Sequence, residues 1–544
     1  TIMPGGLLNI VAYGNQNIIL NGNPSKTFYK CVYAKYTNFG LQKFRIDYSG
    51  LRELRMNEES KFSFKMPRYA DLLMDTYVVV NLPNIWSPLY PPQTTSTDWR
   101  PYEFKWIKNI GTTMIKEINI SAGGQVLQKI TGSYLHNIIC RDNTNIALFN
   151  EMTGNVSELN DPANAYDRGG EYPNAYYTED TNGAEPSIRG RKIYIPIGAW
   201  FTFASKMAFP LVCLQYNQLT IEVTIRPVKE LFVVNDVTSS DLSVIQPNFN
   251  ESTFGFYRFI QEPPNTSLTY TDKTTSWNAD IHLISTYCFL SEDETKVFAA
   301  DEQKYLIKDV REEIFKNVVG TKKIKLNTGG LVADWMWFFR RSDAYLRNEW
   351  TNYTNWPYDY LPDSLTSAPS SPTYTIDTET IGPDTNPSGT STGLYTTGTF
   401  SAYNQKYIMN QMGILMDGKY RENELDSGIY NYLEKYTTGN NSAYTNTGLY
   451  SYNFCIHTSL YDTQPSGAIN LSKFSNVEFE LTTYIPPVDL SAQFFNICDD
   501  NGEVIGVNKF SWDVYEYTYD LHVLEERYNI IHFMGGNVSK MFAT

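Results

Sequence analysis

The side chains best suited to metal binding or nucleophilic chemistry are sparse in this chain of 544 residues, which contains five histidines and six cysteines. His282, His522 and His532 fall inside apparent strands, and His457 lies near the end of another. None of them stands at metal-ligand spacing from another histidine or from a cysteine pair. We therefore interpret the histidines as core or interface residues rather than as metal ligands.

The six cysteines are widely separated and lie mostly in apolar surroundings. They are Cys31, Cys140, Cys213, Cys288, Cys455 and Cys498. No two of them form a C-x-x-C pair, which a zinc site or a redox motif would need. The pattern predicts buried free thiols of a reducing compartment rather than a disulfide framework.

One acidic stretch, DDNGE at residues 499–503, has the composition of a calcium-binding loop. Ile497 stands where the first ligand of an EF-hand loop would be, so the acidic ladder is incomplete. A tight hairpin turn on Asn501-Gly502 is the interpretation that we prefer.

The usual signatures of phosphate, dinucleotide, zinc-protease and serine-hydrolase sites are absent: G-x-x-x-x-G-K-[ST], G-x-G-x-x-G, H-E-x-x-H and G-x-S-x-G. We predict no catalytic, cofactor-binding or metal-binding residues, and no enzymatic activity. The alternative is a carbohydrate-binding or glycan-processing β-sandwich protein, whose sites use aromatic platforms and paired carboxylates. Among 59 acidic residues, the sequence singles out no such pair.

The formal net charge of −15 predicts repulsion from nucleic-acid phosphates and from anionic membranes, so we expect no direct nucleic-acid binding. Two small basic groups, Lys322/Lys323/Lys325 and Arg340/Arg341, are interpreted as solvated surface. The sequence opens without a basic segment followed by an apolar one, and it contains no run of 18 apolar residues. We therefore expect any membrane association to be indirect.

The elements that would position any site are strands. Aromatic residues make up 15% of the chain, and Gly, Pro, Asn and Thr occur throughout, which is typical of an all-β protein with many turns. The clearest strand is Leu219–Ile225, where apolar and polar residues alternate until Pro227 stops the pattern. Roughly 200 residues of strand-like segments precede this joint and roughly 300 follow it, which indicates two β domains.

Other segments show the same alternation. In the first half they are Phe28–Val32, Lys61–Met66, Thr76–Leu82, Met114–Ile120, Gln125–Ile130 and Lys192–Ile197. In the second half they are Asp280–Leu290, Lys322–Asn327, Val332–Phe339, Tyr452–His457, Val477–Tyr484, Trp512–Tyr519 and Tyr528–Phe533. Helices are predicted at Thr131–Cys140, in the following NIALFNEM, and over 292–308, where Ser291 and Glu294 have capping-box spacing.

Each half thus offers roughly the eight short antiparallel strands that a jelly roll needs. We predict an all-β fold of two consecutive eight-stranded antiparallel jelly rolls, with long loop insertions and a few short helices. The predicted parts are an N-terminal arm at 1–26, a first jelly roll at 27–226, a linker at 227–250 and a second jelly roll at 251–544. Irregular polar composition predicts a surface loop at 154–191 and a large surface insertion at about 348–450.

Five segments, in order along the chain, carry a family resemblance. They are GGLLNIVAYGNQNIILNGNPSKTFYKCVYAKYTNF (5–39), FPLVCLQYNQLTIEV (209–223), RSDAYLRNEWTNYTNWPYDYLP (341–362), QPSGAINLSKF (464–474) and HFMGG (532–536). Together they resemble the major capsid proteins of nucleocytoplasmic large DNA viruses, and the third is similar to a segment of members from giant algal or protist viruses. The chain departs from the family at Asn217-Gln218 and in the Tyr-rich insertion around 363–450.

The resemblance implies a structural capsid subunit with a double jelly-roll fold and no cofactor. Three copies would form a pseudo-hexameric capsomer, a homotrimer, that tiles the icosahedral shell of a large double-stranded DNA virus over an internal membrane. The implied partners are neighbouring capsomers, minor capsid proteins and a penton protein, with the arm near the membrane. Glycans are expected on outward loops at 154–191 and 348–450. The implied location is the virion, with assembly in the host cytoplasm.

Overall fold

A computed structural model of the chain describes most of its residues. The described ranges are 37–90, 99–142, 145–175, 184–238, 244–264, 269–358, 406–439, 447–462, 464–486 and 517–542, with the backbone of 495–498 and 504–508. The chain divides into two units, residues 1–40 and 41–544, and of the first unit residues 37–40 are described and exposed. Outside the described residues lie several sequence predictions: the arm at 1–26, the strand Phe28–Val32, the turn at Asn501-Gly502 and most of Trp512–Tyr519.

Strands dominate the described structure. In the first half they are β1 Gly40–Asp47, β2 Glu53–Leu54, β3 Ser60–Lys65, β4 Leu72–Leu82, β5 Leu89–Tyr90, β6 Arg100–Pro101, β7 Lys105–Trp106, β8 Ile115–Ala122, β9 Gln125–Thr131, β10 Arg191–Pro196, β11 Phe209–Pro210, β12 Leu219–Ile225, β13 Phe232–Asn235, β14 Val244–Ile245, β15 Trp277–Asn278 and β16 His282–Phe289. In the second half they are β17 Gln303–Phe315, β18 Thr321–Leu326, β19 Leu331–Arg341, β20 Met409–Met416, β21 Lys419–Asp426, β22 Leu449–Asn453, β23 Ile469–Asn470, β24 Val477–Thr483, β25 Phe495–Cys498, β26 Val504–Asn508, β27 Tyr519–Met534 and β28 Asn537–Lys540.

The α-helices are short. They are α1 Ile110–Met114, α2 Gly132–Asp142, α3 Ile146–Thr153, α4 Ser157–Asn160, α5 Trp200–Phe203, α6 Glu292–Ala300 and α7 Glu434–Thr438. The helices predicted after β9 are confirmed as α2 and α3. Within the described ranges, no helix combines the length and the apolar character needed to cross a membrane.

Eight strands of the first half are wrapped as a jelly roll, in which the first strand neighbours the eighth, the second the seventh, the third the sixth and the fourth the fifth. Their order is β1-β16-β4-β10 in one sheet and β3-β12-β8-β9 in the other. The pairs β3/β12, β4/β10 and β8/β9 are antiparallel. The short strand β11 adds to the first sheet beside β4.

The second half repeats this wrapping. Here β17 pairs with β27, β18 with β24, β19 with β22 and β20 with β21, all antiparallel. The sheets have the orders β17-β27-β19-β22 and β18-β24-β20-β21. The predicted double jelly roll of eight-stranded halves is therefore confirmed.

Alternation along the strands explains which side of each sheet is buried. In β3, Phe62 and Phe64 are buried, while Lys61, Ser63 and Lys65, which alternate with them, are exposed. In β12, Leu219, Ile221 and Val223 face the same core, as their period-2 pattern predicts. Full burial of each such side chain stabilises the fold by about 1.5–3 kcal/mol.

Four details of the predicted fold are wrong. The second jelly roll was placed from residue 251 onward, with Leu219–Ile225 as the last strand of the first. Instead β16, at His282–Phe289, pairs with β4 and is the eighth strand of the first jelly roll. Alternation indicates a strand but does not show which sheet the strand joins. Because a long segment separates β12 from β16, the sequence did not indicate that β16 lies beside β1 in the first jelly roll. Within the predicted linker 227–250, β13 pairs with β7 and is packed in the first core.

The predicted surface insertion at 348–450 contains two core strands. β20 and β21 are the fourth and fifth strands of the second jelly roll, and Met409, Met412 and Ile414 are buried in its core. The residues that precede these strands are rich in Thr, Ser and Gly. They dominate the composition of 348–450, so the average composition of that range did not indicate the two strands. The fourth error is the helix predicted over 292–308, which ends at Ala300 because β17 begins at Gln303 and pairs with β27.

Candidate functional site: the contact between the two jelly rolls

The second jelly roll turns one face of its β17-β27-β19-β22 sheet toward the first. In β19, Trp335, Trp337 and Phe339 point into the core of the second jelly roll. Met336 and Phe338, on the opposite face, belong to the apolar core of the first. Both faces of this strand are therefore buried, which explains its almost uninterrupted apolar sequence VADWMWFF.

Further apolar side chains of the second half enter the first core. Leu524, Ile531 and Phe533 of β27 and Val538 of β28 are part of that core. The ring of Phe533 lies edge-on to the ring of Phe209, with centroids 5.2 Å apart. The apolar core of the first jelly roll thus extends onto the facing sheet of the second, and this packing contributes to their mutual orientation.

Helix α2 presents the polar part of the contact. Its start is set by Thr131, whose Oγ1 accepts a hydrogen bond from the backbone N–H of Tyr134 at 3.2 Å. Gly132 allows a close approach that no other residue would permit, because a Cβ there would lie 2.0 Å from the backbone oxygen of Ile115. Arg141 and Asp142 form the last two positions of the helix and are buried.

Arg141 is the centre of a buried group of charges. Its guanidinium donates to Asp142 Oδ2 at 2.7 Å, to Asp334 Oδ1 at 2.8 Å and to Glu526 Oε1 at 3.0 Å. Lys308 of β17 completes the group, with Nζ 3.4 Å from Glu526 Oε2. We call these five residues the ionic cluster. It joins one helix of the first jelly roll to three strands of the second.

Hydroxyl groups complete the coordination of the carboxylates. Tyr134 donates its hydroxyl to Glu526 Oε1 at 3.0 Å, and Thr458 donates to Asp142 Oδ1 at 2.7 Å. Lys308 also donates to the backbone oxygen of Thr458 at 2.9 Å. Buried charges held in this way are costly to disrupt, because removal of one partner leaves the others unpaired.

A β-bulge places Asp334 in this group. The register of β19 against β27 shifts between Val332 and Asp334, so that Val332 faces the second core while Asp334 faces α2. An extra residue in one strand reverses which side chains point to which face. The bulge therefore puts Val332 and Asp334 on opposite faces although they are two positions apart, and Asp334 shares its face with Met336 and Phe338.

A second polar contact is made by residues 341–358, which we call the connecting segment. Asn348 donates both Nδ2 hydrogens to backbone oxygens of the first half, at 2.8 and 2.9 Å. Trp350 donates its Nε1–H to the backbone oxygen of Glu230 at 3.1 Å, and the guanidinium of Arg226 lies 4.3 Å from its ring centroid. The segment after β12 is therefore covered rather than free.

Ion pairs inside the connecting segment hold its shape. Asp343 accepts from Arg341 at 2.8 Å and lies 2.9 Å from Arg347, all three being buried. Burial alone would raise the pKa of Asp343, but the two guanidinium groups outweigh it and hold that pKa well below its usual range. Arg341 also donates to the backbone oxygen of Asn355 at 2.6 Å.

The basic groups of the sequence analysis have different outcomes. Lys322, Lys323 and Lys325 are exposed on β18, as expected. Arg341 is buried and Arg340 is half-buried, so the prediction of a solvated Arg pair is wrong. They lie at the end of an apolar strand that continues into the connecting segment, and burial of that segment covers them.

The histidines take structural positions. His522 lies 2.9 Å from Glu312 through Nδ1 and stacks on Phe338 with ring centroids 4.7 Å apart. His136 is buried in α2, and burial lowers its pKa to about 4. Among the residues that the structure describes, no three His, Cys, Asp or Glu side chains are grouped so as to hold a metal ion. Four cysteines, Cys140, Cys213, Cys288 and Cys455, are buried free thiols, as predicted.

Sequence reasoning missed the ionic cluster. Its signals are visible in retrospect as charged residues inside apolar elements: Arg141-Asp142 after LHNIIC, Asp334 within VADWMWFF and Glu526 within LHVLEERYNII. Such charges are almost never fully buried unless they are paired. Their pairing across 385 positions of sequence, as between Arg141 and Glu526, is beyond what a local pattern shows.

Two family models match the chain in succession. Residues 27–277 match the model described as the major capsid protein N-terminus, and residues 294–539 match that of the large eukaryotic DNA virus major capsid protein. Strand β16 lies between the two matches, at the junction of the two jelly rolls.

Individual relatives align with this chain over different lengths. The major capsid proteins of Phaeocystis pouchetii virus and Paramecium bursaria Chlorella virus 1 are each 22% identical to the chain, and each alignment covers 98% of both proteins. Capsid protein 1 of Acanthamoeba polyphaga mimivirus is 26% identical over 57% of this chain and 44% of that protein.

Solved structures share the fold. The major capsid protein of Faustovirus superposes with a TM-score of 0.59 at 13% identity, covering 94% of this chain and 93% of that one. A chain of the PBCV-1 virus capsid superposes with a TM-score of 0.58 at 18% identity, covering 95% and 100%. With both family models matched in order and the double jelly roll in place, the chain belongs to the major capsid protein family of large eukaryotic DNA viruses.

Proposed function

We propose that the chain acts as a structural shell subunit by forming a homotrimer, a pseudo-hexameric capsomer that tiles the icosahedral capsid of a large double-stranded DNA virus. The observation that carries the proposal is the repeated wrapping: one chain holds two jelly rolls with the same strand pairing. Three copies related by a closed three-fold axis then present six similar bodies around one centre. Such a unit fits a six-neighbour lattice although it contains three chains.

The contact between the jelly rolls supports this role. A tile keeps its outline only when its two bodies have the same relation in every copy. The shared apolar core, the ionic cluster and the connecting segment supply that fixed relation. Interdigitated cores are not continuously deformable, so the two bodies move as one.

The remaining parts of the proposal rest on the family resemblance. They are a place in the virion with assembly in the host cytoplasm, contacts with neighbouring capsomers, minor capsid proteins and a penton protein, and an indirect link to an inner membrane through residues 1–26. We propose no direct contact with nucleic acid, in keeping with the net charge of −15. We also propose no catalytic activity and no cofactor or metal requirement.

Glycans on outward loops are part of the same proposal, and burial narrows their positions. The sequon at Asn352 is only 5% exposed. In the loop at 154–191, Asn155 accepts a hydrogen bond from the backbone N–H of Asn109 and one from Asn160, so its side chain is engaged. Two further N-x-[ST] asparagines, Asn250 and Asn470, are exposed but lie outside the two predicted outward loops.

Size-exclusion chromatography with light scattering tests the trimer. We expect a species with three times the mass of the 62.3 kDa chain, stable on dilution, and hexagonal particles in negative-stain electron micrographs. A monomer that binds or hydrolyses oligosaccharides would contradict the proposal and favour the glycan-processing alternative. Glycan binding should therefore be measured on the same fractions.

A further inference from the structure

The ionic cluster is electrically unbalanced when all of its groups are ionised. It contains two cations, Arg141 and Lys308, and three carboxylates, Asp142, Asp334 and Glu526. The Lys308 side chain is 10% exposed, and the other four side chains are at most 4% exposed. A net negative charge in such a place is costly, and a buried carboxyl group relieves it by binding a proton. A single proton makes the cluster neutral.

Two of the carboxylates are direct neighbours. Asp334 lies opposite Glu526 in the register of β19 and β27, and residues in this relation have Cβ atoms about 4.5–5.5 Å apart. Both use the same cations, since Arg141 bonds each of them and Lys308 Nζ lies 3.8 Å from Asp334 and 3.4 Å from Glu526. Two ionised carboxylates at this separation repel each other.

One oxygen of this pair has no donor. Asp334 Oδ2 is buried and receives no hydrogen bond from any residue that the structure describes. A proton on it would turn an unsatisfied acceptor into a donor toward Glu526. Asp142 has no such need, because Arg141 and the Thr458 hydroxyl engage its two oxygens.

We propose that Asp334 and Glu526 share one proton at neutral pH, and that its loss in alkaline solution weakens the contact between the two jelly rolls. The ionic cluster then makes the contact between the two jelly rolls of each chain dependent on pH. This inference goes beyond the trimer proposal and does not depend on it, since every group involved belongs to one chain.

The electrostatic surroundings assign the proton mainly to Asp334. Burial and the charge of Glu526 raise the pKa of Asp334 well above its usual value. For Glu526, burial acts in the same direction, but Arg141 and Lys308 outweigh it and lower its pKa. Because the folded-state pKa of Asp334 lies above the unfolded value of about 3.9, stability decreases as pH rises from there toward the folded value.

Other titratable groups face the pair from every neighbouring element. They are Tyr134, Arg141 and Asp142 from α2, Lys308 from β17, Tyr528 from β27 and Cys455 from the residues after β22. Burial raises the pKa of Cys455 to about 11 and keeps both tyrosines neutral beyond their usual range. A stability change in alkaline solution below these values is therefore assigned to the carboxyl pair rather than to its neighbours.

The test measures unfolding of the full-length protein by denaturant at several pH values, for the unsubstituted chain and for Asp334→Asn. Between the unfolded-state pKa of a carboxyl group and its raised folded-state pKa, the folded protein binds one proton more than the unfolded chain. The unfolding constant therefore increases tenfold per pH unit in that range. We expect the substitution to remove this one-proton slope, so that Asp334→Asn overtakes the unsubstituted protein as pH rises. Asp309→Asn, which removes a half-buried carboxylate paired with Lys540, is the matched control and should keep the slope.

A second measurement does not depend on the stability of a variant. Infrared difference spectra of the unsubstituted protein between neutral and alkaline pH should show loss of one protonated carboxyl band. Equal slopes for the unsubstituted chain and Asp334→Asn, or no such band at neutral pH, would overturn the proposal. If Asp334→Asn does not fold, Glu526→Gln serves in its place, because it removes the other half of the pair. If neither folds, the infrared result alone decides.

Discussion

Replacing Arg141 by methionine tests whether the ionic cluster holds the two jelly rolls together. The guanidinium donates to three buried carboxylates, and methionine fills a similar volume without any donor. Lys308 then remains as the one cation of a cluster that contains three carboxyl groups. Removal of one partner from a buried ion network costs about 3–5 kcal/mol, so we expect a loss of that size in the free energy of unfolding.

The matched control is Arg45→Met, which removes the same side chain from an exposed ion network. Arg45 contacts Asp47 and Asp280, each at 2.8 Å, but its side chain is 42% exposed. Exposed pairs contribute about 0.2–1 kcal/mol, so the control should lose no more than this. Arg141→Lys should fall between the two, because it keeps the charge but not the geometry that reaches three carboxylates.

Denaturant unfolding followed by tryptophan fluorescence gives the free energies, and limited proteolysis shows where the structure opens. We expect the methionine variant to be cleaved first in segments that border the cluster, such as that between α2 and β10. Similar losses for Arg141→Met and Arg45→Met would show that the apolar core alone holds the contact and that the reasoning from the charges is wrong.

Three further outcomes are expected. Gly132→Ala should destabilise the protein by about 1–3 kcal/mol in thermal unfolding, since its Cβ would overlap backbone atoms, whereas Gly329→Ala, with 3.5 Å of space, should change little. A short Gly/Ser linker in place of 363–400 should leave the oligomer unchanged in size-exclusion chromatography, because that stretch supplies little apolar material for a core. Asp343→Asn should destabilise the protein at neutral pH and flatten its loss of stability in acid. The depressed pKa of that carboxyl means that its contribution is present above about pH 4 and is lost as pH falls.

The fold class was predictable because alternation is a local property. Segments such as Leu219–Ile225 and Lys61–Met66 show their buried face in their own sequence, and they are strands in the structure. Helix α2 was predictable because the helical spacing of its apolar residues is also a local pattern. Family motifs then supplied the double jelly roll, which the strand count alone supported only in outline.

What could not be predicted depends on pairing between distant residues. His282–Phe289 reads as a strand, but only its hydrogen bonds to Leu72–Leu82 show that it closes the first jelly roll. The bulge beside Asp334 has no sequence signal, yet it places Val332 in the second core while Asp334, two positions on, faces Arg141. The sequence analysis assigned Arg340 and Arg341 to the solvated surface and did not identify the ionic cluster. Burial depends on packing between elements that are distant in sequence.

The position of the contact explains why the chain carries its two jelly rolls in tandem. The joint at Leu219–Ile225 lies one strand before the end of the first jelly roll, so it cannot by itself orient the second. Orientation comes instead from the apolar contact and from Arg141, Lys308, Asp334 and Glu526, which meet only after both halves are wrapped. A linker of any length could join two sandwiches, but a linker fixes no angle between them. Placing the charges at a buried contact makes the angle a consequence of folding, so every copy of the chain has the same angle.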